Sequence, residues 1–171
     1  MLLEVGYENL AIEAVAGRAE VGRQTIYRWW DSKAVLVADA VLRGGLPAPR
    51  DMVIARSGTI RNDLLSWAIG FAEMASEPHN AALIRGLAAA TAGSHRTAAE
   101  LYDQFTGPQH KMLVDRMRGA IERGEVLESS DLEAAIDALV GGILYRVLAQ
   151  IPVTRAHATA LVDVVLLGVA R

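Results

Sequence analysis

The sequence contains no cysteine, which excludes a disulfide framework, a thiolate metal site and a cysteine nucleophile together. Lysine is nearly as scarce, since of 17 basic residues only Lys33 and Lys111 are not arginine, and aromatic residues make up 5%. No apolar run reaches the roughly 18 residues a membrane-spanning helix requires. The richest stretch, 134–148, carries Asp137 and Arg146. An acid at Glu4 stands where a secretory signal has its basic region, so the expected location is the cytoplasm, with no membrane partner. With 17 basic against 20 acidic residues the formal charge is −3, so any contact with nucleic acid must be local.

Alternating β-branched and aromatic residues are also missing, whereas apolar spacing of i, i+3, i+4, i+7 recurs along most of the chain; the fold class is therefore all-α. Gly44-Gly45-Leu46-Pro47-Ala48-Pro49 ends one helix and blocks its resumption. This divides the chain into a small N-terminal domain (1–43), a linker (44–58) and a larger helical domain (59–171). Helices are expected at about 59–76, 79–92, 95–105, 108–124, 131–150 and 155–170, with Ser94, Ser130 and Thr154 as N-caps. There is no internal repeat.

Fingerprints of catalysis are absent as well. His79, His95, His110 and His157 form no i, i+4 pair, so no metal site is expected, and the histidines read as exposed or cap-region residues. No nucleophile elbow, phosphate-cradling loop or dinucleotide fingerprint occurs, and the acids are scattered without an evident buried pair. No cofactor is expected and no enzyme is indicated.

Within the first domain Ile12, Val15, Ala16 and Ala19 give one apolar helix face, and Val21, Ile26 and Trp30 give the next buried set. Only three residues remain for the connection, so the two helices must cross steeply, as in a helix-turn-helix. The second helix, about 22–30, then presents Arg23, Gln24, Thr25, Tyr27 and Arg28, donors and a ring suited to a major groove. Trp30 reads as core and Trp29 as partly exposed.

The ordered set Gly6-Tyr7-Glu8, Ile12-Glu13-Ala14-Val15-Ala16, Ala19, Val21-Gly22, Thr25-Ile26-Tyr27-Arg28, Trp30 and Ser32-Lys33 resembles the N-terminal signature of the TetR/AcrR regulators. A weaker resemblance to the ligand-binding half of one AcrR-like branch lies in Ile60-Arg61-Asn62-Asp63-Leu64-Leu65, Gly124-Glu125 and Leu161-Val162-Asp163-Val164-Val165. The resemblance implies a homodimeric DNA-binding repressor released from a palindromic operator by a small-molecule effector, in a largely apolar pocket. It implies that Arg23, Gln24 and Thr25 open the recognition helix, and that Tyr27, Arg28 and Lys33 contact the DNA backbone.

Four features depart from that pattern. Glu20 stands where a turn glycine is usual, Ala11 where a hydroxyl cap is usual, and Trp29 and Asp31 where basic and proline residues are common. At the front only Met1 to Val5 remain of the first helix, and residues 1–43 sum to a formal −1, which favours a native start upstream of Met1. The competing reading is a helical dimer that binds a small molecule or protein partner with lost or weakened DNA binding.

In the second domain Trp67, Phe71 and Met74 share one helical face at i, i+4, i+7, and with Tyr102 and Phe105 they are the candidate effector-pocket residues. Ala134, Ala138, Gly141, Gly142 and Tyr145 form a stripe of mostly small residues. On the next helix Leu161, Val162, Val165, Gly168 and Val169 form an apolar one. Two such helices from each of two chains would make a four-helix dimer interface.

Overall fold

The computed structural model describes residues 1–44 and 52–169, with Leu3 and Val169 described by backbone alone. Residues 45 to 51 of the expected linker lie outside these. The described residues form helices and no strand: α1 (Leu2–Asn9), α2 (Ile12–Arg18), α3 (Arg23–Trp29), α4 (Lys33–Leu42), α5 (Ile60–Ser76), α6 (Pro78–Gly93), α7 (His95–Leu101), α8 (Gly107–Glu122), α9 (Leu132–Leu148) and α10 (Arg155–Val169). The expected 95–105 helix changes at Tyr102 into a π-helical turn, Tyr102–Thr106. Ser94 caps α7 through Thr97 N, and Thr154 accepts from His157 N at the start of α10. The cap of α9 is Asp131 rather than Ser130: its carboxylate accepts from Ala134 N at 3.0 Å.

Two compact units result, one of Met1–Ala48 with Pro78–Phe105, the other of Pro49–Glu77 with Thr106–Arg171. In the first, α4 packs on α6 and α7 through Ala34, Ala38, Val41, Ala90 and Leu101. A smaller core of Ile12, Ala16 and Ile26 joins α2 to α3, with Trp30 packed against it. The Trp30 indole fixes its polar edge by donating to Asp39 Oδ2 at 3.1 Å.

In the same unit α1 is broken at Gly6, whose φ of +76° a side chain would oppose, and Tyr7 beyond the break packs on α6. The approach is closest at Gly86, where an added Cβ would stand 2.5 Å from Tyr7 Cε2. Gly86→Ala must displace the Tyr7 ring and is expected to cost about 1–3 kcal/mol. Thermal melts of G86A, Y7A and the double variant check this. Additive losses would show that the two residues do not meet.

The second unit is built on α5, which packs against α8, α9 and α10 around Leu64, Leu113, Met117, Ile136, Leu139, Ile143 and Val162. Its N-terminus is held by charged groups from distant positions. Glu125 accepts from Ile60 N at 2.7 Å, and Arg61 donates through Nε to Asp163 Oδ1 at 2.9 Å. Gly124, at φ +72°, makes the left-handed turn after α8 that presents Glu125.

Buried beneath these contacts is an ion pair. Asp63 is fully buried and Arg116 nearly so, and Arg116 grips Asp63 Oδ2 through Nε at 2.6 Å and through Nη2. Asp63 Oδ1 accepts from Ser57 N and Oγ, both at 2.6 Å. Sequence spacing gives no sign of this pair, whose members stand 53 positions apart. Desolvation pushes the Asp63 carboxyl up, but the bonds from Ser57 and Arg116 outweigh it and hold it below its ordinary value.

Candidate nucleic-acid interface

The turn between α2 and α3 fixes everything the recognition helix presents. α2 ends with Val21 N donating to Ala16 O and Glu20 N to Gly17 O, a closure that needs a left-handed residue between. Glu20 fills that place at φ +54°, a conformation that costs a residue with a Cβ about 1–2 kcal/mol and glycine nothing. The reversal also turns Val21 outward to 39% exposure and leaves Ala19 exposed, so neither belongs to the buried set expected of them. Ala11 makes no side-chain cap at the start of α2.

Ile26 anchors the inner face of α3 in the core, which forces Arg23, Gln24, Tyr27 and Arg28 outward; Thr25 is half-buried on the flank. The outward residues are organised among themselves. The Arg23 guanidinium lies 5.2 Å from the Tyr27 ring centre, and its Nη1 is 2.6 Å from Glu13 Oε1 of α2. Bonding to Tyr27 and the charge of Glu13 hold Arg23 protonated even more firmly than usual. Arg28 lies over the ring of Trp29, which is 69% exposed at the end of α3.

Lys33 has a different setting from the one expected of a residue reaching only DNA. Its ammonium donates to Tyr7 O at 2.9 Å and Glu8 O at 3.2 Å and sits 4.7 Å from the Tyr7 ring centre. The residue thus ties the start of α4 to the end of α1. Ser32 caps the same helix by accepting from Val35 N.

Residues 54–165 match the family model for the tetracyclin repressor-like C-terminal domain, and residues 1–40 match that of the bacterial regulatory proteins of the tetR family. The chain belongs to the TetR family. It is a TetR-family transcriptional regulator with an N-terminal helix-turn-helix DNA-binding domain. Among its relatives are the HTH-type transcriptional regulators YdeS of Bacillus subtilis, 28% identical over 86% of this chain and 73% of that one, and Mb1581 of Mycobacterium bovis, 29% identical over 98% and 81%. The solved TetR-family regulator SCO0332 superposes with a TM-score of 0.67 at 27% identity, covering 99% of this chain and 92% of that one. PfmR from Thermus thermophilus shares the fold at 17% identity, with a TM-score of 0.59 over 99% of this chain and 94% of that one.

The other TetR-type sites expected from the sequence are brought together only in part. Trp67 and Phe71 are buried and stacked, ring centres 5.1 Å apart, with Met74 half-buried beside their core. Tyr102 and Phe105 fall in the other unit, where Tyr102 is 55% exposed and Phe105 packs on the α4–α6–α7 core. Aromatic character alone does not tell which core a ring enters.

On α9, Ala134, Ala138, Gly141 and Tyr145 are exposed along one stripe, whereas Gly142 is closed by Leu161, whose Cδ2 would lie 2.8 Å from an added Cβ. On α10, Val162 and Val165 are buried in the unit's own core and cannot face a partner. The outward apolar residues there are Val164, Leu167 and Gly168; the Val169 side chain lies outside the described residues.

His79 and His95 are exposed, and His157 sits in the Thr154-capped first turn of α10. His110 departs from the expected exposure: it is half-buried, 3.3 Å from Glu133 and 3.1 Å from Asp137. No group of three or more ligating side chains suited to a metal occurs among the described residues, and no described helix is long and apolar enough to cross a membrane.

Proposed function

We propose that this regulator is a cytoplasmic, homodimeric repressor that binds a palindromic operator through α3 and is released by a small, largely apolar effector. The observation that carries the DNA part of the reading is the outward face of α3. Arg23, Gln24, Tyr27 and Arg28 project together from a helix whose inner face is locked by Ile26. Supporting the dimer are the exposed apolar residues of α9 and α10, two adjacent helices of one unit. The effector would enter beside Trp67, Phe71 and Met74, where a stacked aromatic pair offers apolar surface. Release is a population shift: an effector that binds better to the conformer with the wrong half-site spacing lowers operator affinity by its differential binding energy.

The test is binding of the chain to duplexes from its own flanking promoter at several salt concentrations. Gln24→Ala is expected to relax discrimination at one base position by about 1–3 kcal/mol. Arg28→Ala should instead weaken binding to all sequences alike. Equal loss on every sequence from Gln24→Ala would remove it from base reading. Lys33→Ala is a poorer probe, since it also frees the end of α1. Specific, salt-dependent binding that a tightly bound small molecule leaves unchanged would refute effector control.

A further inference from the structure

The Glu13–Arg23 pair is unlike the other acid–base pairs of residues 1–43. Glu4 with Arg18, Glu8 with Arg85, and Asp39 with Arg43 all involve cations outside the recognition helix. Glu13 alone among these acids contacts an arginine of that helix. Both side chains are 60% exposed, so the pair adds little to stability, yet an acid here repels the phosphates that a DNA-binding face must approach.

Its geometry supplies a use for that charge. An arginine fork has five N–H donors in one plane. Glu13 takes Nη1 from the side of α2, and Tyr27 holds the guanidinium from α3 itself, its ring centre 5.2 Å away. With Nη1 held by Glu13 and a further bond made to Tyr27, the fork loses its rotational freedom while part of its donor set stays available. A guanine edge, with two acceptors in the major groove, is the partner that such a fork reads bidentately.

Resting on the operator-binding reading above, we infer that Glu13 is a positioning residue for sequence discrimination. It aims Arg23 at one guanine and, by its charge, holds down attachment to unrelated DNA. Any cation in reach of a phosphate strengthens non-specific binding; an arginine committed to a carboxylate does so less. Glu13 therefore lowers affinity for random duplex and raises the ratio between operator and random duplex.

The experiment uses the full chain, a random-sequence duplex pool and the duplex that the wild-type protein enriches from it. Glu13→Gln keeps the side chain's shape and removes its charge. Binding to random duplex should rise about fivefold, and its log–log salt slope should steepen by about 0.9, the increment for one more phosphate contact. Discrimination at a single base position of the enriched duplex should fall about tenfold, and Glu13→Asp should restore part of it. Arg23→Lys, which keeps charge but lacks the fork, should lose discrimination at that same position. A specificity ratio and salt slope in E13Q equal to wild type, with specific wild-type binding, overturn the inference alone. Failure of the wild-type chain to enrich any sequence overturns the operator reading and the inference with it.

Discussion

Asp63→Asn is expected to cost about 3–5 kcal/mol of folding free energy, the penalty of leaving a buried charge without its partner. Arg116 would keep its nearly buried guanidinium facing an amide instead of a carboxylate. For a chain of this length the loss corresponds to a fall in Tm of about 6–20 °C. The companion variant Asp63→Leu/Arg116→Met should recover most of that loss, since a buried pair replaced as a whole by apolar groups is often neutral. Thermal and urea unfolding followed by circular dichroism measure both. A change below about 1 kcal/mol in the asparagine variant would mean that water reaches Arg116 and that the pair is not buried in solution.

The same carboxylate makes stability depend on acid. Asp63 titrates below its unfolded value of about 3.8, so the native state holds fewer protons than the unfolded chain through that range. Its contribution is therefore full above the unfolded value and is lost as pH falls through the folded one. Glu125, held low by the bond from Ile60 N despite its desolvation, loses its contribution in the same direction. Wild-type stability should thus drop steeply below about pH 4, and the asparagine variant should show a shallower drop.

How much of this was legible in the sequence depends on whether the interaction is local. The α2–turn–α3 unit was legible because three short-range signals agree: apolar spacing, a three-residue connection and a polar outward set. Apolar character alone places Val21 with Ile26 and Trp30, but Val21 follows the left-handed Glu20 within the turn and is exposed. Asp63 and Arg116 lie 53 positions apart, so no spacing rule joins them, and each reads alone as an ordinary solvated charge. The segments that carried the weaker family resemblance turn out to be knotted physically. Ile60 meets Glu125, Arg61 meets Asp163, and Asp63 sits beneath them on Arg116. Glu13 escaped notice for a related reason: its role depends on α2 and α3 crossing at the point where Arg23 emerges.

For α10 the obstacle was different, and it leads to the second large effect. The run Leu161-Val162-Asp163-Val164-Val165-Leu166-Leu167 is apolar on both sides of the helix, so periodicity cannot tell the core face from the outer one. The structure separates them: Val162, Val165 and Leu166 are buried, whereas Val164 is 65% and Leu167 81% exposed, with Tyr145 of α9 at 66%. Exposed apolar side chains on two adjacent helices match an interface in which a second copy would cover them. Leu167→Glu combined with Val164→Glu places two charges on that face without touching the core, so the monomer should stay folded with an unchanged circular dichroism spectrum. Light scattering should then report a monomer, since burying an unpaired carboxylate in an interface costs several kcal/mol. Operator affinity should fall about a hundredfold to ten-thousandfold, because a two-site attachment becomes two independent single-site ones. Val162→Ala, by contrast, should lower stability through a core cavity while leaving the proposed dimer intact. A Val164→Glu/Leu167→Glu protein that remains dimeric would place the interface elsewhere, and the palindromic operator reading would then lose its geometric support from this face.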